Sequence, residues 1–393
     1  MGAHRETLRR ETRPMTRLSF LSGGAANGIV SRVAKAAGIE VGGSFGPVGA
    51  MRDKFLAGEA CDLVILTHSQ IAELTAQGRV DLLAVADLGT VQTSVAVRTD
   101  APPVDVSTPD ALRSALLAAD AIHFPDPQKA TAGIHFAKVL EALGIAGEVA
   151  SRLHTHPGGL PAMAAVAASA GRPIGVTQAT EIVVTQGVRL VASLPPPHGL
   201  ATVYTAAVSA KAPNAAEARA FLAKLADSTA ARTEMGFEGA IVRRARRSDE
   251  AAIRELVFAI LEFEYALRPD PAKTDLDLFD LEAHYFARGG MFDVVADPSG
   301  RIVGCCGSYA TREDAVELRK MYVHRDLRGQ GVGRRLLERA VAFARGRGSK
   351  RIELETASVL KEAIAMYEQA GFIRQAQAPH VDRCDRAYAL TLA

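Results

Sequence analysis

Six residues, Arg328-Gly329-Gln330-Gly331-Val332-Gly333, separate a strand-like run, Leu318 to Val323, from a helix-like run, Arg334 to Arg345. A loop so placed is suited to hold phosphate. Its three glycines remove the Cβ atoms that would keep a ligand from the backbone N–H groups, and the helix it opens adds partial positive charge at its first turn. Arg328, Arg334 and Arg335 add full charges. Two other phosphate loops fit poorly. No Gly-Lys-Ser/Thr follows to reach terminal phosphates and a magnesium ion. The dinucleotide fingerprint keeps Gly329-x-Gly331 after a strand and Glu353 about 20 residues on, but Arg334 stands where a third small residue should let helix and strand approach.

The pattern Arg-x-x-Gly-x-Gly, following Glu317-Leu318-Arg319-Lys320-Met321-Tyr322-Val323, resembles the acetyl-CoA loop of the GCN5-related N-acetyltransferases, the GNAT family. The resemblance runs from about Ala240 to the end and includes a later landmark, Met366-Tyr367-Glu368-Gln369-Ala370-Gly371-Phe372. It implies a mixed sheet in which two strands splay apart and admit the pantetheine arm of acetyl-CoA, a co-substrate. Backbone groups of Met321, Tyr322 and Val323 would border that arm. The N–H groups of Arg328, Gly329, Gln330, Gly331, Val332, Gly333 and Arg334 would hold the pyrophosphate. Acetyl transfer needs a deprotonated amine, a polarised thioester carbonyl and a proton for the departing thiolate. Glu317 is the candidate base, the N–H of Met321 or Val323 the oxyanion donor, and Tyr367 the candidate acid. A solvated strand carboxylate and simple core packing are the competing readings of Glu317 and Tyr367.

The acceptor site is harder to read. Asp270, Asp275, Asp277, Asp280 and Glu282 make one region acidic, which would attract a cationic amine, although a solvated helix face explains them equally. Periodicity predicts a first helix from just after Ser248-Asp249 through Leu261 and a second over about Leu276 to Ala287. Asp297-Pro298-Ser299-Gly300 reads as a hairpin turn.

Before about Glu238 short apolar strands alternate with helices: Leu18–Ser22, then Gly23-Gly24, then an alanine-rich helix; Val41–Phe45, then a helix; Asp62–Thr67, then another. That order predicts parallel sheets with ligands at the strands' carboxyl ends. Thr108-Pro109 marks a helix start, capping residue then N1 proline. Long crossings near Val95 and Pro195 would divide this half into two lobes. The stretches Ser22-Gly23-Gly24-Ala25, Phe45–Ala50, Asp62–Thr67, Ala132–Lys138 and Gln178–Ile182 resemble the molybdate-binding type of periplasmic binding protein. The resemblance implies an oxyanion held between the lobes by neutral donors, here Ser22, Thr67, Thr131 and the amide near Gly133. Val48 stands where that family often has a ligand-contacting serine, so one hydroxyl donor is lost.

The whole chain of 393 residues is therefore an α/β protein with two expected domains, 15–238 and 240–393. A net charge of +2 gives no footprint for nucleic acid or an anionic membrane. The run Arg243-Arg244-Ala245-Arg246-Arg247 reads as a solvated junction. Cys61, Cys305, Cys306 and Cys384 lack metal-ligand spacing, and adjacent strand residues point to opposite faces, so neither a zinc site nor a disulfide framework is expected. His284, His324 and His380 are also isolated from such spacing. The arginine-rich start, without an apolar run, suggests a cytoplasmic protein. The expected function is acetyl transfer to an amine of a small molecule or protein, in a chain that also senses a small ligand or oxyanion. Two alternatives stay open: a regulator that binds acetyl-CoA without catalysis, and an oxyanion-binding protein with an inactive appendage. Oligomeric state is not legible.

Overall fold

A computed structural model describes residues 17–392. The arginine-rich first 16 residues, including the start of the expected first domain and of any leader, lie outside the described residues. Two sheets organise the chain. In the first, strand order is Glu40–Gly46, Arg17–Gly23, Leu63–Thr67, Ala201–Ser209, Val80–Arg98, Pro173–Gln178, Ala121–Pro125 and Leu153–His156, with Val188–Ser193 also pairing Val80–Arg98. The 19-residue strand Val80–Arg98 passes through both lobes. It pairs with Ala201–Ser209 in one lobe and with Pro173–Gln178 in the other.

Each lobe is built from strands that feed helices, but the sheet is mixed and not parallel as expected, because Leu63–Thr67 and Val80–Arg98 run antiparallel to Ala201–Ser209 and Val80–Arg98 antiparallel to Pro173–Gln178. Arg17–Gly23 pairs in parallel with Glu40–Gly46 and Leu63–Thr67, and Ala121–Pro125 in parallel with Leu153–His156 and Pro173–Gln178. Helices Val48–Leu56, Thr131–Ala142 and Gly159–Ala168 start at the carboxyl ends of such strands. Thr108 caps Pro109–Ala118, accepting from the Ala111 N–H at 3.1 Å.

The chain leaves the first sheet after Glu238, which is bonded through its backbone to Thr90 of the long strand, and enters the second at Ile241. The second sheet runs Ile241–Arg244, Met291–Ala296, Ile302–Arg312, Ala315–Val323, Arg351–Thr356, Arg386–Thr391 and Ile373–Arg374. The expected first helix forms at Glu250–Ala259, with Asp249 accepting from Arg246 N–H at 2.8 Å, and it continues as a wider π turn, Ile260–Glu264. The expected second helix does not form as one. Leu276–Leu278 is a 3₁₀ turn and Glu282–Phe286 a π turn, because Asp275 and Asp277 turn inward to bind cations instead of facing solvent. The arginine run is likewise not solvated throughout. Arg243 is buried in a two-pronged pair with Asp249, and Arg244 lies 4.0 Å over the Phe286 ring.

Helix Val332–Gly346 packs across the second sheet and also against helix His68–Ala76 of the first domain. Its residues at one face, Arg335, Glu338 and Arg339, are spaced to share a helix side. Arg335 Nη1 lies 3.1 Å from Asp87 on the long strand, and Arg339 bonds Asp293 at 2.7 Å and the Val85 carbonyl at 3.0 Å. His68 Nε2 lies 3.1 Å from Glu338, and its Nδ1 lies 3.8 Å from Asp87, an ion-pair and not a hydrogen-bond distance. At the helix end Gly346 allows contact that no side chain would permit, since a Cβ there would sit 2.4 Å from the Thr75 carbonyl. The apolar core follows the same path: Leu74 and Val85 belong to one buried cluster with Ile241, Phe292 and Val294.

Asp87 is wholly buried and also accepts from Thr205 Oγ1 at 2.7 Å and Val242 N–H at 3.2 Å. Burial alone would raise its pKa, yet His68, Arg335 and Arg339 hold it well below the carboxylate range. Asp87→Ala leaves Arg335 without its buried partner and is expected to cost about 3–5 kcal/mol in chemical denaturation. Burial pulls the His68 pKa down, but Asp87 and Glu338 outweigh it and hold the imidazole above 6.5. Its stabilising charge is thus fully present below about pH 6.5 and is lost as pH rises through the higher folded-state value. The melting-temperature gap between wild type and His68→Gln should be largest in that acidic window and close at alkaline pH.

Candidate functional site

Strands Ala315–Val323 and Arg351–Thr356 pair in parallel only from Ala315↔Arg351 to Glu317↔Glu353, and then diverge. A bulge drives the separation. Opposite Ile302–Arg312 the register jumps between Cys305↔Tyr322 and Gly307↔Arg319, so Lys320 and Met321 face a single residue. Lys320 takes a left-handed φ of 53°, rare for a residue with a side chain. Its buried ammonium bonds Asp275 at 2.5 Å and the Thr274 carbonyl at 2.7 Å, which holds the backbone in that conformation. Asp275 is fully buried and also receives both Nη atoms of Arg383 at 2.7 Å. Burial would raise Asp275, but Arg383 and Lys320 hold its pKa well below the carboxylate range.

The gap between the diverging strands, about 60 Å³, is bordered by Glu317, Lys320, Tyr322, Thr356 and Arg383. It adjoins a hollow of about 450 Å³ on the side of the segment Gln375–Val381, and Glu317, Arg319, Glu355 and Val381 line both spaces. Glu317 is therefore at the passage between them. Its direct cross-strand partner is Tyr309, whose hydroxyl donates to Glu317 Oε2 at 3.1 Å and accepts from Arg319 Nη1 at 3.0 Å. Burial raises the Tyr309 pKa; Arg319 opposes this and Glu317 adds to it, so the phenol keeps its proton for that bond. Glu355, across the gap, accepts from the His380 and Val381 N–H groups at 2.8 and 3.0 Å. Burial would raise it, but these bonds and the His380 imidazole hold it below its ordinary pKa.

At the far end of Ala315–Val323, the chain turns through Arg325–Leu327 into the glycine loop. Gly329 and Gly331 have φ of 74° and 76°, and a Cβ at either would meet nothing within 4 Å, so the loop is open on its outer side. Gly331 precedes the first residue of helix Val332–Gly346, and no side chain caps that helix. Its first N–H groups are thus free of a side-chain acceptor, which suits a diphosphate.

The three arginines of the loop part company. Arg334 is largely exposed and pairs with Glu338 at 2.9 Å; Arg328 is held by Glu264 at 2.7 Å and by the Val323 carbonyl at 2.9 Å. Arg335 turns away to Asp87 and adds no charge at the loop, contrary to expectation. Tyr367 is buried beside Phe372 and does not line the gap. Burial, reinforced by Cys306 and Tyr322, raises its pKa and keeps it protonated. The acidic acceptor surface is not formed as expected, because Asp275 and Asp277 are interior; Asp277 accepts from the Tyr285 hydroxyl at 2.7 Å.

In the first domain, a cleft of about 190 Å³ lies between the lobes. Thr131 borders it. Ser22 donates its hydroxyl to the Gly23 carbonyl, and Thr67 donates to Gln70 Oε1 in the first turn of helix His68–Ala76, so neither side chain borders the cleft. Gly133 serves packing, since a Cβ there would lie 2.2 Å from the Pro125 carbonyl. Val48 does border the cleft, together with Gln178, Glu181 and Tyr204.

Residues 22–238 match the family of bacterial extracellular solute-binding proteins, and residues 254–372 match the GNAT acetyltransferase family. The chain belongs to both families. This fusion is 36% identical over 137 residues to an uncharacterised N-acetyltransferase of Escherichia coli K12, YjgM, covering 34% of the chain and 81% of that relative. It is 27% identical over 229 residues to aconitate isomerase of a Pseudomonas species, covering 56% of the chain and 86% of the relative. The periplasmic molybdate-binding protein of Azotobacter vinelandii is similar to the first domain at 17% identity, with a TM-score of 0.46, over 56% of this chain and 98% of that one.

Tyr309, Arg319 and Glu355 escaped the sequence reading. Tyr309 could have been found by pairing the two strands across their turn, but the irregularity at Thr311, between Ala310↔Val316 and Arg312↔Ala315, shifts that register. Among the described residues, no group of three or more His, Cys, Asp or Glu side chains is assembled as a metal site. Gly331→Glu is expected to abolish acetyl-CoA binding in calorimetry, by placing a carboxylate against the cradle, while the circular-dichroism spectrum is unchanged.

Proposed function

We propose that the second domain of the fusion transfers an acetyl group from acetyl-CoA to an amine of a small molecule or protein, and that the first domain binds a small anion. One observation carries the enzymatic reading: strand divergence beyond Glu317 and Glu353 leads, along the same strand, to an open glycine cradle at a helix start. The strand edge at Met321, Tyr322 and Val323 would hold the pantetheine arm, and Arg328 through Arg334 the diphosphate. Acetyl-CoA supplies the thioester carbon that the amine attacks.

Glu317 accepts the amine proton, directly or through water, at the passage between gap and hollow. Tyr309 and Arg319 orient its carboxylate. Tyr367 is kept as the candidate proton donor to the departing thiolate because burial keeps it protonated, although it does not line the gap in this structure. The hollow balances Arg312, Arg319 and Arg351 with Glu317, Glu353 and Glu355, and these largely pair with one another. Shape and hydrogen bonding, more than net charge, would then select the acceptor.

For the first domain, the relation to a protein that acts on aconitate widens the candidate ligands from inorganic oxyanions to organic acids. A cytoplasmic site of action is part of the proposal. Its support is the demand for acetyl-CoA together with the buried, unpaired thiols of Cys61, Cys305 and Cys306.

The test is release of free thiol and mass gain across a panel of amines. Glu317→Gln and Tyr367→Phe should each lower kcat about 10²- to 10⁴-fold with acetyl-CoA affinity retained. Full activity in both variants would remove their assigned roles, and absence of thiol release with every amine would favour a regulator that only binds acetyl-CoA.

A further inference from the structure

Three helices begin at the interlobe cleft, at Val48, Thr131 and Gly159, and no N-cap side chain closes any of them; the Gly159 N–H is taken by Glu181, which leaves the first turns at Val48 and Thr131 open. Their N–H groups and dipoles favour an anion. The cleft floor carries chemistry of the opposite kind. Gln178 is 3% exposed, borders the cleft, and neither its Oε1 nor its Nε2 has a hydrogen-bond partner. Glu181 is buried beside it and accepts from Thr177 Oγ1 at 2.6 Å. Two glycines make room for that carboxyl: a Cβ on Gly24 would lie 2.7 Å from Glu181 Oε1, and one on Gly159 would lie 1.9 Å from Oε2. Burial raises the Glu181 pKa, against the opposing bonds from Thr177, Gln178 and Gly159.

A tetrahedral oxyanion such as molybdate or sulfate offers acceptors only. It would satisfy the helix N–H groups and Gln178 Nε2, but it would leave Gln178 Oε1 without a donor. Val48 supplies no hydroxyl and, with Phe45 and Leu160, gives the cleft an apolar wall that suits carbon. An organic anion with its own O–H supplies the donor that Gln178 Oε1 lacks and the carbon that the apolar wall suits.

Building on the reading of this cleft as an anion site, we propose that its ligand is a small hydroxy carboxylic acid. The carboxylate rests on the helix starts at Val48 and Thr131, the hydroxyl donates to Gln178 Oε1, and the carbon skeleton lies against Val48 and Leu160. Hydrogenphosphate shares the pairing of negative charge with an O–H but lacks the carbon skeleton.

Calorimetry on the full chain with malate, citrate, succinate, hydrogenphosphate, sulfate and molybdate separates these cases. Malate and succinate differ by one hydroxyl, so malate should bind more tightly, by about 5- to 150-fold. Gln178→Leu should erase that difference while succinate still binds, which also shows that the variant is folded. Val48→Ser, which restores a hydroxyl donor, should narrow the margin by which malate outcompetes molybdate. Tighter binding of molybdate or sulfate than of either hydroxy acid would overturn the inference and leave the anion site standing. Tightest binding of hydrogenphosphate would overturn the organic ligand alone. Equal affinity for malate and succinate in the wild type would remove Gln178 from recognition and the inference with it. No heat with any of the six would sink both the inference and the anion site.

Discussion

Helix Val332–Gly346 is held in place by buried carboxylates of both sheets, and much of the molecule depends on that attachment. Asp87 of the first sheet takes Arg335, and Asp293 of the second takes Arg339. Both carboxylates are almost fully buried, where a charge is tolerated only with a partner at short range. The same helix starts at the glycine cradle. Its position therefore fixes where the first-turn N–H groups point, and the first domain takes part in setting it through His68 and Asp87. The contact is also continuous in apolar terms, because Gly346 lets backbone meet backbone at Thr75 and one core cluster crosses the junction. Two domains that match separate families thus share one interior. Such an attachment supplies a physical route between sites, although coupling itself requires two arrangements that each ligand distinguishes.

A second buried charge organises the catalytic side. Asp275 gathers Lys320 from the bulged strand and Arg383 from the segment before the last strand. The strained backbone at Lys320, the strand divergence and the wall formed near Val381 are thereby tied to one carboxylate. An isolated Lys in a left-handed conformation would relax; here its ammonium has nowhere else to go. Glu317 gains its orientation from Tyr309 and Arg319, so the candidate base is held by two residues, one on each of two strands. The interlobe cleft contrasts with this. Its anion-attracting groups are backbone N–H donors at helix starts, and the groups that narrow the choice of anion are the buried, unpartnered amide of Gln178 and the buried carboxyl of Glu181.

Local signals were read well where they depend on backbone conformation or periodicity. The glycine loop, the Thr108-Pro109 helix start, the alternating strands and helices of the first half and the amphipathic run after Asp249 all form as read. Each reports an interaction within a few residues, and the chain encodes it directly. The reading failed where long-range pairing decided the outcome. Asp275 and Asp277 looked like surface acids because composition cannot show that Lys320 and Arg383 will reach them. Arg335 looked like a phosphate ligand because its partner, Asp87, lies 248 residues away. Thr67 and Ser22 looked like ligand donors, but their hydroxyls are used at once by neighbouring backbone and Gln70.

By itself the sequence determined the two families, the order of elements and the glycine cradle, since these follow from turn residues, hydrophobic period and motif spacing. Tertiary structure alone decided which charges are buried together, that the domains share helix Val332–Gly346, and that Tyr309, Arg319 and Glu355 surround the passage at Glu317. It alone also decided that Gln178 and Glu181 form the cleft floor. The reason is one of range: a dihedral preference acts on its own residue, whereas desolvation and ion pairing act on whatever the fold brings within a few ångströms.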